Sequence, residues 1–256
     1  MISIKGKNAL ITGASSGIGQ ACASAFAASG SNVILGARRI KKLQKIAQEI
    51  SEKYGVETFA AYMDVRDYKS LEKTIATLPE QFQVINFLLN CAGLALGMNT
   101  VYDANIEDFN TMVDTNEKGV YNMTRLVLPQ MLVRDEGYIF NIGSIAGQEV
   151  YTKGNVYCAS KAAVRAFTKA TGMDIQPHNV RVTLIEPGLT KTEFFKVRLK
   201  GNTQKAEHAY AGKQTLSPQD IAEIILFCAT RDAHINIRQI LVTPTHQASV
   251  GAAFKK

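Results

Sequence analysis

The stretch NALITGASSGIG, residues 8–19, decides the fold. NALIT (8–12) reads as a short buried strand, and Gly13, Gly17 and Gly19 follow at a GxxxGxG spacing. Glycines at a strand-to-helix turn allow a tight turn, close backbone approach and close helix packing. The helix that begins there points its unpaired N–H groups beyond the strand end, where a pyrophosphate fits. A lone Gly pattern is also compatible with a plain turn. Its place in the first strand–helix unit favours a dinucleotide cradle made by Gly13, Ser15, Ser16, Gly17, Ile18 and Gly19.

Outward from this turn, β-rich runs recur at NVILG (32–36), ETFAAYM (57–63), INFLL (85–89), YIFNIG (138–143), VRVTLIE (180–186) and QILVT (239–243). Between most of them lie longer stretches of helical periodicity. This alternation predicts an α/β fold: one doubly wound parallel sheet of about seven strands with helices on both faces. Several runs are nearly all apolar, as strands buried on both sides are. In TLSPQDIAEIILF, Ser217 is a natural N-cap, Pro218 suits the first helical position and Asp220 the first turn. Ligands of such sheets bind beyond the carboxyl ends of the strands.

The second strand run leads into ARRIKK. An NAD site would place an acidic residue near here for the ribose hydroxyls; Arg38 and Arg39 stand there instead. Cations at a helix start oppose its dipole by about 0.3–1 kcal/mol each, and a 2′-phosphate between them reverses that sign. NADP is therefore expected over NAD, the alternative being an exposed basic helix start.

At 256 residues, 46% hydrophobic and 20% charged, the composition is that of a globular protein, and a single domain over 1–256 is expected. No run of 18 apolar residues occurs and the N-terminus has no signal-peptide pattern, so a cytoplasmic, membrane-independent protein is expected. Cys22, Cys91, Cys158 and Cys228 form no CxxC pair, and the four histidines are dispersed; no metal site is expected. The net charge of +7 admits nucleic acid or a small anion. The basic residues are spread along the chain, and a nucleic-acid partner is not expected.

NVYCASKAAVRAF (155–167) reads as an apolar helix, yet Tyr157 and Lys161 share one face at i and i+4. A phenol has a pKa of about 10, too high for a base near neutrality. A neighbouring ammonium favours the phenolate, which predicts an acid/base pair of lowered pKa. Each residue alone has a bland alternative: an amphipathic core tyrosine, a snorkelling lysine, Ser144 as a strand-end cap.

With these pieces in place the chain resembles the short-chain dehydrogenase/reductase family over almost its whole length. TGASSGIG, NCAG (90–93), Asn116 in DTNEKGV, Ser144 in NIGSIAG, YCASK and EPGLTKT (186–192) match its motifs in order. The resemblance implies a catalytic set of Asn116, Ser144, Tyr157 and Lys161. In it Lys161 holds the nicotinamide ribose, Ser144 orients the substrate oxygen, and Asn116 holds a water linking Lys161 to solvent. It also implies cofactor contacts from Asp64 and Val65 at the adenine, and from Asn90, Ala92 and Gly93 at the ribose. Pro187, Gly188, Leu189, Thr190 and Thr192 would meet the carboxamide and phosphates. Relatives are commonly homotetramers built through long helices, here 105–133 and 154–176.

NCAGLALG, DTNEKGVYNMTR, EPGLTKTEFFKVRLKGN and TPTHQAS are similar to NADP-dependent serine and 3-hydroxy acid dehydrogenases. That resemblance implies oxidation of the 3-hydroxyl of L-serine, allo-threonine or related small hydroxy acids. A carboxylate substrate calls for a bidentate cation, and Arg198 is the candidate within a lid at about 188–215; the alternative is a surface arginine. Phe194 and Phe195 could close the pocket over the nicotinamide. Glu186 stands where many relatives have an uncharged residue. Two other readings stay open: a reductase of neutral ketones and aldehydes, and a catalytically silent nucleotide-binding scaffold.

Overall fold

Strand β1 (Asn8–Thr12) is buried at all five positions and lies inside a seven-stranded parallel sheet. The computed structural model describes residues 2–253. The other strands are β2 (Asn32–Ala37), β3 (Thr58–Tyr62), β4 (Phe87–Asn90), β5 (Gly137–Ile142), β6 (Val180–Pro187) and β7 (Gln239–Val242). Their order is β3-β2-β1-β4-β5-β6-β7, with Ile11 opposite Leu35 on one side and Leu89 on the other. The order reverses direction between β1 and β4, which opens a crevice above their carboxyl ends.

Alternation along β1 explains the two layers. Ile11 joins a core with Phe26, Leu35, Leu89, Phe140 and Ile225, whereas Leu10 joins Ile34, Leu71, Leu88, Val127 and Ile139 on the opposite face. The first face is covered by α1 (Gly17–Ala28), α2 (Ile40–Tyr54) and α9 (Pro218–Ala229), the second chiefly by α3 (Tyr68–Ala76) and α5 (Gly119–Arg134). Each fully buried Leu or Ile stabilises this arrangement by about 1.5–3 kcal/mol. Helix α9 starts with a capping box in which Ser217 and Asp220 bond reciprocally, with Pro218 at its first position.

The expected helix over 105–133 is divided: α4 (Ile106–Val113), a π-helical turn (Asp114–Lys118), then α5. The expected helix over 154–176 is α6 (Asn155–Asp174). Beyond β6 the chain forms α7 (Phe194–Arg198) and α8 (Thr203–Tyr210), and a bridge between Thr190 and Leu216 draws the ends of this excursion together. A two-stranded piece, β8 (Gln247–Ser249) with β9 (Ala252–Ala253), lies near the chain's end.

Candidate active site

The carboxyl ends of the strands and the β6–α9 excursion enclose a cleft of about 550 Å³. Its floor is the Gly-rich turn. Gly13 has φ +66°, and a Cβ there would lie 2.9 Å from the backbone of Ala92, so the turn after β1 touches the loop after β4. A Cβ on Gly19 would lie 2.6 Å from the Gly13 carbonyl oxygen, so α1 packs directly on the turn. Thr12, at the end of β1, ties the same two loops: its hydroxyl donates to Leu89 O and accepts from Cys91 N and Ala92 N. Helix α1 has no side-chain cap and no acidic residue in its first turn. That open, positively polarised end suits a pyrophosphate, so the chain's own donors fit the dinucleotide.

Arg38 and Arg39 both border the cleft, but they differ. Arg39 donates to the Ser15 and Ser16 hydroxyls and pairs with Glu193 at 3.2 Å. The Arg38 side chain is exposed and, among the described residues, makes no hydrogen bond or ion pair. Asp64 and Val65 line the cleft next to Arg38. Arg66 grips Asp64 through two hydrogen bonds, which outweigh its partial burial and hold its carboxyl below the usual range.

Asn90 departs from the expected ribose contact. Its side chain is buried and donates to Asn141 Oδ1 at 2.8 Å, bracing β4 against β5. Cys91, Ala92 and Gly93 line the cleft instead.

Tyr157 and Lys161 project from α6 towards Ser144, which follows β5. The Ser144 hydroxyl caps the next turn by accepting from Ala146 N and also faces the phenol of Tyr157. Lys161 is buried and its Nζ donates to Ile142 O at 2.8 Å. Burial lowers its ammonium to about 8. The Tyr157 phenol is not lowered as the spacing suggested. Burial pushes it up to about 12, and the opposing influences of Ser144 and Arg198 do not cancel that. Lys161 directs its ammonium to a carbonyl below the phenol, so among protein groups desolvation wins.

The Asn116 side chain is braced by three hydrogen bonds. Its Oδ1 accepts from Leu94 N, and its Nδ2 donates to Leu94 O and to Ser160 Oγ. Both amide hydrogens are engaged, so the side chain cannot donate to a relay water. It clamps the π-helical turn to the 94 loop and to α6. A π turn offsets the helical register by one residue, which aims Asn116 inward.

Arg198 is buried, with 4% of its surface exposed. It donates to Gly97 O, to the Tyr151 hydroxyl and to Lys153 O, and lies 5.9 Å from the Tyr157 ring centre. None of these partners is charged, and Arg198 forms no ion pair among the described residues. Phe194 packs edge-on against Tyr157 at 5.4 Å, and Phe195 against Tyr210 at 5.1 Å, closing one wall with aromatic rings. Pro187, Gly188, Leu189, Thr190 and Thr192 all line the cleft. The Leu189 N–H is held by Gln247 Oε1 at 2.7 Å.

The model of the short chain dehydrogenase family matches residues 7–202. The chain belongs to that family. An NADP-dependent 3-hydroxy acid dehydrogenase of Schizosaccharomyces pombe is 43% identical over 257 residues, covering 100% of this chain and 99% of that protein. A sulfoacetaldehyde reductase of Chromohalobacter salexigens is 43% identical over 240 residues, 93% of this chain and 94% of that protein. The solved closed form of serine dehydrogenase complexed with NADP+ superposes with a TM-score of 0.91 at 42% identity, over 97% of this chain and 99% of that one.

In this short-chain dehydrogenase four site residues escaped the sequence reading: Thr12, Tyr151, Glu193 and Gln247. Each acts through tertiary contacts with segments 47 to 154 residues away. Thr12 carried a usable signal, a hydroxyl directly after the apolar run Ala9–Ile11 and immediately before the first glycine.

Proposed function

We propose that this protein is an NADP-dependent dehydrogenase of short 3-hydroxy acids, with Tyr157 as the acid/base. The buried Arg198 carries the reading. A buried guanidinium held by neutral acceptors, without an acidic partner and 5.9 Å from the Tyr157 ring, suits a small substrate that brings its own anion. When bound, NADP supplies the acceptor or donor of hydride.

The chain's residues supply the rest. Arg198 holds the carboxylate, which places the 3-hydroxyl one short carbon chain away. Ser144 donates to that oxygen and fixes its direction. In reduction, Tyr157 delivers its proton to the carbonyl oxygen; its raised pKa keeps that proton in place at neutral pH. In oxidation it takes the hydroxyl proton, a task that needs the phenolate and the help of further positive charge. Lys161 contributes its ammonium and steadies Ile142 at the end of β5. Asn116, with its amide engaged, keeps the floor of the site rigid. The Phe194 wall excludes water. The segment about 188–215 acts as the lid, and residues 1–256 as one catalytic domain.

The similarity to a named 3-hydroxy acid dehydrogenase and to a serine dehydrogenase holding NADP+ supports the cofactor and the substrate class. The test is cofactor reduction with L-serine and 3-hydroxypropanoate, using NADP+ and NAD+ in parallel. Tyr157→Phe should lower kcat by about 10²–10⁴-fold while NADPH still binds. Undiminished turnover in that variant refutes the mechanism.

A second reading rests on the same arginine. Isethionate carries its anion at the same remove from the hydroxyl as 3-hydroxypropanoate, and a relative is named for sulfoacetaldehyde. Turnover of sulfoacetaldehyde with NADPH, compared with a neutral aldehyde of similar size, measures how far Arg198 accepts a sulfonate.

The homotetramer is supported by exposed apolar side chains on the long helices: Ile106, Phe109, Tyr121, Val133 and Met173. Four free cysteines suit a reducing, cytoplasmic setting.

A further inference from the structure

Arg39 is held on two sides. Its Nε donates to Ser15 Oγ at 3.0 Å and its Nη2 to Ser16 Oγ at 2.8 Å, both in the Gly-rich turn. The remaining edge, at Nη1, faces Glu193 Oε2 at 3.2 Å. The other oxygen of Glu193 stands 3.8 Å from Lys42 Nζ on α2. Glu193 immediately precedes α7, so this ion-pair cluster joins the lid to the rim of the cleft where Arg38 and Arg39 lie. All three side chains are roughly half exposed. Partial burial works against the Glu193 carboxylate, but Arg39 and Lys42 hold its pKa below the usual range, so it is ionised at neutral pH.

The cations expected to greet a 2′-phosphate are therefore not equivalent. Arg38 has no partner among the described residues. Arg39 and Lys42 already share an anion. A phosphate monoester carries close to two negative charges near neutrality, and it must either displace the Glu193 carboxylate or lie beside it.

We propose that Glu193 is a specificity-determining residue for the cofactor: a lid carboxylate that competes with the 2′-phosphate for Arg39 and Lys42. It lowers affinity for the phosphorylated dinucleotide while leaving the unphosphorylated one untouched. The inference rests on the reading that NADP binds with its 2′-phosphate at Arg38 and Arg39.

The experiment is a fluorescence titration of NADPH and NADH against wild type, Glu193→Gln, Arg38→Ala and Arg39→Ala, at about 0.05 M and about 0.5 M salt. Glu193→Gln keeps the shape and removes the charge. Its Kd for NADPH should fall roughly two- to five-fold at low salt, the scale of an exposed ion pair, and the gain should shrink at high salt. Its Kd for NADH should not move. If Glu193 is merely a strap that closes the lid, the variant weakens both dinucleotides alike, and the proposal is overturned. An unchanged NADPH Kd overturns it as well. The arginine variants separate the two levels: each should lower the preference for NADPH over NADH. If neither does, the 2′-phosphate lies elsewhere and both the reading and this inference fall; if they do and Glu193→Gln does not, only the inference falls.

Discussion

Tyr157 shows what a four-residue spacing reveals and what it conceals. The spacing places phenol and ammonium on one face of α6, and the structure puts both at the cleft. The direction of the phenol's shift was not legible, because burial depends on Phe194 and Arg198, which lie about forty residues further along the chain. With NADP+ saturating, kcat/KM for hydroxy-acid oxidation should rise with pH at a slope near one and level off at the bound-state pKa of Tyr157. That plateau should lie below about 12, the value set by protein groups, since added positive charge favours the phenolate. A profile flat from pH 6 to 10 contradicts Tyr157 as the base.

Lys161 gives a prediction of opposite sign. Its ammonium is lowered from 10.5 to about 8 by burial, so the charged form destabilises the fold. The penalty is fully present below pH 8 and vanishes as pH rises through 10.5. Relative to wild type, Lys161→Met should therefore look more stable at pH 7 than at pH 10.5, by on the order of 2–3 kcal/mol in urea unfolding. For Arg198, replacement by Ala should raise KM for 3-hydroxypropanoate roughly 10–100-fold through loss of a charge-assisted pair, and raise KM for a neutral aldehyde far less. Equal effects on both would remove Arg198 from substrate recognition.

At the level of elements, seven strand runs read from composition fall within about two residues of the observed strands, because each is an apolar run bounded by polar or Gly residues. The divided helix was not legible. A π turn adds one residue without interrupting the apolar pattern, and the partner of its Asn116, Leu94, lies in another segment. The same limit applies to Asn90, whose motif was read correctly but whose side chain belongs to the layer below. The Gly-rich turn, by contrast, was legible because its glycines answer a local steric demand. Gly13→Ala should abolish NADPH binding and lower Tm, since a Cβ would lie 2.9 Å from the Ala92 backbone at a left-handed φ. Retained binding would show that the two loops can part.

For the whole molecule, strand–helix alternation with right-handed crossovers was enough to predict the doubly wound sheet, and the order β3-β2-β1-β4-β5-β6-β7 is its result. Assembly is a different matter: a single chain's pattern shows an apolar helix face, not what covers it. Tyr121 on α5 is half exposed and packs edge-on against Phe167 of α6, and Met173 extends this apolar surface. On the proposed tetramer, Tyr121→Lys combined with Met173→Lys should lower the mass measured by light scattering relative to wild type, with the sheet intact by circular dichroism. An unchanged mass relocates the interface.

The Thr12 hydroxyl, bonded across to Cys91 and Ala92, also divides responsibility between the segments before and after residue 84. The earlier segment supplies the peg, the later one the socket, and neither alone carries a finished seat for the nucleotide. Fragments split near residue 84 and mixed would therefore recover shape and ligand affinity in one step rather than in succession.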